Sequence, residues 1–141
     1  MTIRQITDRY HVSPQISAED IPALKEAGVT LVICNRPDEE VPPSHQADAI
    51  GAAVRAAGIA FENLPLTHQT MTPDNIARQA DLVAGASGAV LAYCASGTRC
   101  SVVWALGQAR ELSVDDILTS TARAGYDLGG LRPTLEALAR R

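Results

Sequence analysis

Apolar residues occur in short continuous runs that alternate with segments of helical periodicity. Apolar runs of strand length occupy residues 29–34 and 89–93, and 59–64 is predicted to be another short strand. The run 29–34 is apolar on both faces, which is typical of strands inside a parallel sheet. Two further short strands are predicted near the N-terminus, at 4–6 and 11–12, with a turn between them. The pattern therefore predicts a sheet of about four to five strands.

Helices are predicted between and after these strands. An apolar face and an end signal mark 21–27, 44–57 and the segment after Thr72. The helix after Thr72 should have Ile76, Ala80 and Val83 on its inner face. Three more helices are expected: one carrying Val102, Ala105, Leu106, Ala109 and Leu112, one capped by Ser113, and one carrying Leu135 and Leu138.

This alternation indicates the α/β class. Parallel strands joined by helices require right-handed crossovers, which place the helices on the faces of the sheet. We therefore expect a small parallel sheet of about four to five strands flanked by helices. The chain length of 141 residues suits a single domain over 1–141.

The run 89–93 leads into a polar loop that opens with Cys94, closes with Arg99 and precedes an apolar helix. If this loop curls at the helix start, its N–H groups converge on one point, to which the helix dipole adds positive potential. A cysteine there is held as the nucleophilic thiolate, and an arginine offers a planar fork to an oxyanion. We predict Cys94 and Arg99 as catalytic residues. The candidate anion-binding loop comprises Ala95, Ser96, Gly97, Thr98 and Arg99.

Five further residues are candidate accessories to this site. Arg36 and Asp38 follow a core strand and His68 follows the next, at the sheet edge where ligands gather in α/β folds. Arg36 and Asp38 could instead bond each other and brace their loop. Cys100 could react with an oxidised or persulfidated Cys94, or simply pack in the helix; Ser101 stands beside it.

Composition and charge exclude several classes of partner. The net charge of −4, without a basic run, argues against nucleic acid and anionic membranes. Three cysteines do not suggest a disulfide framework, and widely spaced histidines do not suggest a metal site. We expect no cofactor. No apolar segment reaches the length of a membrane span, and the N-terminus lacks a signal-peptide pattern, so a cytoplasmic location is expected.

The sequence also resembles a known bacterial family, the phosphatase-like domain of beta-lactamase-hydrolase-like proteins, which is also described as a sulfur transferase family. The matching stretches are 35–38, 64–66, 93–99 with 104–106, and 124–128. The resemblance implies a fold like that of the dual-specificity, cysteine-dependent phosphatases. It also implies a possible persulfide-handling partner protein, because members occur alone or fused to such enzymes.

Two activities fit this architecture. Cysteine phosphatases carry five residues between cysteine and arginine, whereas Cys94 and Arg99 are separated by four, a spacing similar to that of rhodanese-type sulfurtransferases. Phosphatases of this fold also place an aspartate general acid after the segment that matches 64–66. Here the first aspartate after that segment is Asp74, at the start of the next predicted helix. The family's usual basic residue after the cysteine is Ala95 here, and its serine after the arginine is Cys100.

The sequence thus favours a rhodanese-type sulfurtransferase that carries a persulfide on Cys94. The first alternative is a cysteine-dependent phosphatase-like hydrolase of tyrosine or dual-specificity type, with His68 as its acid. The second is a non-catalytic module that binds an anion. In each case the expected ligand is a small sulfur-containing donor or an oxyanion.

Overall fold

A five-stranded sheet forms the centre of the computed structural model, which describes residues 2–140. Its strands are β1 (Arg4–Gln5), β2 (Tyr10–Ser13), β3 (Val29–Cys34), β4 (Ala60–Asn63) and β5 (Ala89–Tyr93). Their order in the sheet is β1-β2-β5-β3-β4. Only the edge pair β1 and β2 is antiparallel among these strands; the other pairs are parallel. The predicted α/β class and strand number are confirmed.

Six α-helices surround the sheet in the described chain: α1 (Ile21–Glu26), α2 (Ala47–Ala56), α3 (Pro73–Gly85), α4 (Thr98–Gly107), α5 (Val114–Arg123) and α6 (Arg132–Ala139). Helix α2 begins three residues later than predicted, because 43–45 form a separate 3₁₀ turn. The prediction that α4 continues to Leu112 is wrong. The chain leaves the helix after Gly107, and Leu112 is 39% exposed.

The sheet separates two apolar clusters. One contains residues of α1 and α2, and the other contains residues of α4, α5 and α6. Because successive strand residues point to opposite faces, Leu91 and Tyr93 enter the first cluster while Val90 and Ala92 enter the second. The next residue in this alternation, Cys94, lies on the α4 side.

The same alternation places Cys34 in the first cluster, on the opposite face from Cys94, where it is buried as expected. Trp104 packs in the second cluster and stacks on Tyr10, with ring centroids 6.2 Å apart. None of the helices within 2–140 combines the length and apolar character needed to cross a bilayer.

Candidate functional site

The loop between β5 and α4 folds around the Cys94 sulfur. Gly97 adopts a positive φ of 94° at the start of α4, a conformation that glycine allows without a Cβ penalty. In this conformation the Gly97 N–H donates a hydrogen bond of 3.1 Å to Cys94 Sγ. The buried Ser101 hydroxyl donates to the Gly97 carbonyl at 2.8 Å and so ties the loop to the first turn of the helix.

Tyr126 fixes the outer side of this loop. Its hydroxyl donates to the Ser96 carbonyl at 2.9 Å, and a Cβ built on Gly97 would collide with that hydroxyl. Gly97 is therefore required both by its φ and by this close approach. Asp127 instead accepts a hydrogen bond from the Gly129 N–H, so it shapes the turn that follows Tyr126.

Cys94 is surrounded by hydrogen-bond donors. A hydrogen bond from the Cys100 thiol and bonds from the N–H groups of Cys100, Ser96 and Gly97 lower the pKa of Cys94 to about 5, although its burial acts in the opposite direction. Burial raises the pKa of Cys100, which stays a thiol and can donate. The Tyr10 hydroxyl holds the Cys100 carbonyl at 2.8 Å. At neutral pH Cys94 is therefore a thiolate.

Arg99 is held from two sides. Its Nη2 donates to Glu40 Oε1 at 2.7 Å and its Nη1 to Glu40 Oε2 at 2.9 Å, while Nη1 also donates to the Leu66 carbonyl at 2.9 Å. Glu40 bridges Arg99 to Arg36, whose Nε lies 3.3 Å from Oε1. Both guanidinium groups lower the pKa of the Glu40 carboxyl, Arg99 more strongly, so Glu40 is charged near neutral pH.

One edge of the Arg99 guanidinium remains able to bind an anion. A guanidinium carries five N–H donors in a planar fork. The bonds to Glu40 and Leu66 use both Nη1 hydrogens and one of Nη2. Among residues 2–140, none accepts from Nε or from the second Nη2 hydrogen. These two donors point along one edge, the arrangement that binds an oxyanion through two parallel hydrogen bonds.

A buried amide pair supports the loops that carry these residues. Asn35 and Gln79 exchange two side-chain hydrogen bonds of 3.0 Å, and Asn35 also donates to the Leu64 carbonyl at 2.9 Å. Gln79 donates to the Tyr10 hydroxyl at 3.2 Å. The expectation that Ile76, Ala80 and Val83 form the inner face of α3 is therefore incomplete, because Gln79 is its most buried residue.

The structure brings some of the predicted accessory residues to the site and leaves others apart. His68 and Arg99 line the same cleft. Arg36 pairs with Glu40 rather than with Asp38, and Glu40 links it to Arg99. Asp38 accepts a hydrogen bond of 2.9 Å from the Ala47 N–H and so caps α2.

The remaining residues of the predicted anion-binding loop lie on its outer side. Ala95, Ser96 and Thr98 are exposed, Ser96 donates to the Thr98 hydroxyl at 2.9 Å, and Cys94 is buried beneath them. Within 2–140 there is no group of three His, Cys, Asp or Glu side chains that could hold a metal ion. The chemistry available to the described residues is that of a thiolate beside N–H groups that can donate hydrogen bonds to an anion.

Comparisons with known proteins agree with this arrangement. The model of a family described as the phosphatase-like domain of beta-lactamase hydrolase-like protein matches residues 2–111. A beta-lactamase hydrolase-like protein from Xylella fastidiosa is 30% identical over 141 residues, which cover 99% of this chain and 33% of that protein. A second, from Agrobacterium fabrum, is 30% identical over 126 residues, 88% of this chain and 29% of that protein. The chain spans about a third of the length of these curated relatives.

Solved structures show the same fold. The crystal structure of a candidate phosphatase from Neisseria meningitidis is 30% identical and superposes with a TM-score of 0.86, covering 98% of this chain and 99% of that one. The structure of PTPMT1 is 14% identical, with a TM-score of 0.77 over 99% of this chain and 94% of that one; this likeness concerns the fold alone. The cysteine-phosphatase-like architecture expected from the family resemblance is confirmed.

Proposed function

Because the chain belongs to the family of phosphatase-like domains of beta-lactamase hydrolase-like proteins, we propose that it is a cysteine-dependent phosphatase-like hydrolase with Cys94 as its nucleophile. The observation that carries the proposal is the Gly97 N–H bond to Cys94 Sγ, in a loop whose donors lower the pKa of Cys94 to about 5. A thiolate held in this way attacks an electrophilic phosphorus without a separate base.

In the proposed reaction, the Cys94 sulfur attacks the phosphorus of a phosphate monoester. An S–P bond forms while the P–O bond to the leaving group breaks, and the leaving oxygen takes up a proton. Water then attacks the phosphocysteine, which releases inorganic phosphate and restores the thiolate. The Nε and Nη2 edge of Arg99 holds the non-bridging oxygens, and the loop N–H groups stabilise the charge that develops on them.

The leaving group of this reaction requires a proton donor. The segment 64–72 contains no carboxylic acid, and His68 is the titratable side chain of that segment that lies in the cleft with Arg99. We propose His68 as the proton donor. Leaving groups of low pKa, such as phenolates, need this proton least and should be the best substrates.

Sulfur transfer is the second candidate, favoured by the four-residue spacing between Cys94 and Arg99. In this reaction Cys94 attacks the sulfane sulfur of thiosulfate, an S–S bond forms, and sulfite leaves with the electron pair of the broken bond. The resulting persulfide passes its outer sulfur to an acceptor thiol, from a small molecule or from a persulfide-handling partner protein. No protein acid is needed, because sulfite is a stable leaving anion.

One pair of assays on the same preparation distinguishes the two reactions. Hydrolysis of phenyl phosphate is followed by phosphate release, and persulfide formation by the intact mass after incubation with thiosulfate or glutathione persulfide. Hydrolysis that disappears in Cys94→Ser and persists in Cys34→Ser supports the hydrolase. An added sulfur atom with no phosphate release supports the transferase instead. If sulfate or phosphate stabilises the folded protein and neither reaction occurs, the chain is a non-catalytic module that binds an anion.

A further inference from the structure

An apolar cleft adjoins the Cys94 loop, and its apolar wall has no role in the steps described above. Its volume is about 610 Å³. The apolar part of its lining consists of Met71, Val102, Leu106 and Leu131. All four are only partly buried against the core. They therefore form an apolar wall that folding leaves partly in contact with solvent.

One face of helix α4 lines part of the cleft. Thr98, Val102 and Leu106 follow one another at intervals of four residues on α4, so their side chains line one face of that helix. The opposite face of α4, with Cys100, Val103 and Trp104, packs in the core. The polar first residue of this row belongs to the anion loop and the two that follow are apolar.

Charge is confined to one part of the cleft. Arg99 and Glu40 line the cleft as an ion pair. The Nε and Nη2 edge of the Arg99 guanidinium has no hydrogen-bond acceptor among the described residues. Among the described lining residues, His68 is the only other titratable side chain. The cleft thus combines one group able to bind an anion with an apolar wall.

We propose that this cleft binds the apolar body of a small organic oxyanion, larger than a phenyl ring, whose charged group is held by Arg99. The inference rests on the proposed function, since it names the class of phosphate ester that the site would select. A volume of about 610 Å³ lies within the range of about 300–1,000 Å³ usual for small-molecule sites. A two-ring aromatic ester fits this combination of size and surface, and Met71 allows the wall to adapt to its shape.

Binding to the Cys94→Ser protein tests the inference without turnover. Calorimetry would compare 1-naphthyl phosphate, inorganic phosphate and a short phosphotyrosine peptide. Burial of the naphthyl group should make 1-naphthyl phosphate bind at least about tenfold more tightly than inorganic phosphate. A ratio near one, or the absence of binding by either ligand, would overturn the inference. Tighter binding of the peptide would overturn the small-molecule class in favour of a protein substrate.

Variants of the cleft wall locate the effect. In the Cys94→Ser background, Val102→Thr keeps the side-chain shape and Met71→Gln alters a loop residue, so at least one should fold. Either should reduce the affinity ratio severalfold, whereas Leu112→Gln, an exposed apolar residue outside this cleft, should preserve it. An unchanged ratio in both folded wall variants would contradict the inference. Phosphate release from phenyl phosphate by the wild-type protein decides the proposed function separately.

Discussion

Glu40 holds the Arg99 guanidinium through two hydrogen bonds, 2.7 Å from Nη2 to Oε1 and 2.9 Å from Nη1 to Oε2. The two residues are 59 positions apart in the chain. They meet because β3 and β5 are parallel neighbours, so the loops after both strands lie at the same edge of the sheet. The orientation of Arg99, the proposed anion-binding residue, is therefore set by a carboxylate from another loop.

Glu40→Gln should weaken catalysis by misplacing Arg99. A glutamine amide can accept only one of the two guanidinium bonds and turns its own donors toward Arg36 and Arg99. We expect kcat/KM for phenyl phosphate to fall about tenfold, since charged bidentate pairs fix both position and direction. Glu39→Gln is the matched control, because Glu39 lies in the same turn and makes no ion pair within 2–140. Equal rates for the two variants would contradict this role.

The Cys94 thiolate makes stability depend on pH. Its pKa falls from the ordinary 9.0 to about 5 on folding, so between these values the unfolded chain binds more protons than the folded one. The resulting stabilisation is fully present above pH 9 and is lost as the pH falls toward 5. Urea unfolding should show stability rising with pH in this window for the wild type. The rise should be smaller in Cys94→Ser, and parallel curves would refute a depressed pKa.

Cys100 should control the charge of Cys94. Its side chain is the largest cause of the low pKa of Cys94, so Cys100→Ala should raise the Cys94 pKa. Cys100→Ser should largely preserve it, because a hydroxyl donates in the same way. Thiolate absorbance during a pH titration measures this, with Cys34→Ala as a control on the opposite face of the sheet. The idea fails if the alanine and serine variants titrate alike.

Local signals explain how much of the fold and site could be predicted. Apolar runs located the strands to within a residue or two, and a cysteine followed by glycine and arginine at a helix start located the loop. Gly97 lies in that loop and has a positive φ, which a glycine accommodates without strain. Each of these features depends on neighbours close in sequence, where spacing carries the information.

Partners distant in sequence could not be predicted. Tyr126 and Ser96 are 30 residues apart, and Asn35 and Gln79 are 44 apart. Their pairing depends on which elements become neighbours in space. A glutamine beside an apolar helix face also looks like an ordinary surface residue until the opposing asparagine is known. The run of acidic residues 38–40 gave no sign that Glu40, rather than Asp38, would meet an arginine.

Gly97→Ala should disrupt the loop for two separable reasons. Alanine is strained at a φ of 94°, and its Cβ would collide with the Tyr126 hydroxyl. We expect destabilisation of about 1–3 kcal/mol together with loss of activity. Adding Tyr126→Phe should recover only the part due to the hydroxyl, because ring carbon Cζ would still lie 2.9 Å from the added Cβ and the strain in φ remains. Gly130→Ala is the control, since nothing lies within 4 Å of its added Cβ; a Gly97→Ala protein as stable as this control would exclude the mechanism.

The amide pair under the site should be costly to break. Gln79→Leu leaves the Asn35 side-chain oxygen and the Tyr10 hydroxyl without the donor they have in the wild type, in surroundings where all three residues are buried. An unsatisfied buried polar group costs about 1–3 kcal/mol, so the free energy of unfolding in urea should fall by at least that amount. Gln108→Leu is the control, because the Gln108 side chain makes no hydrogen bond within 2–140. Activity should fall together with stability. Asn35 donates to the Leu64 carbonyl, and the Leu66 carbonyl of the same loop accepts from Arg99. Wild-type stability in Gln79→Leu would show that the pair is not a support of the site.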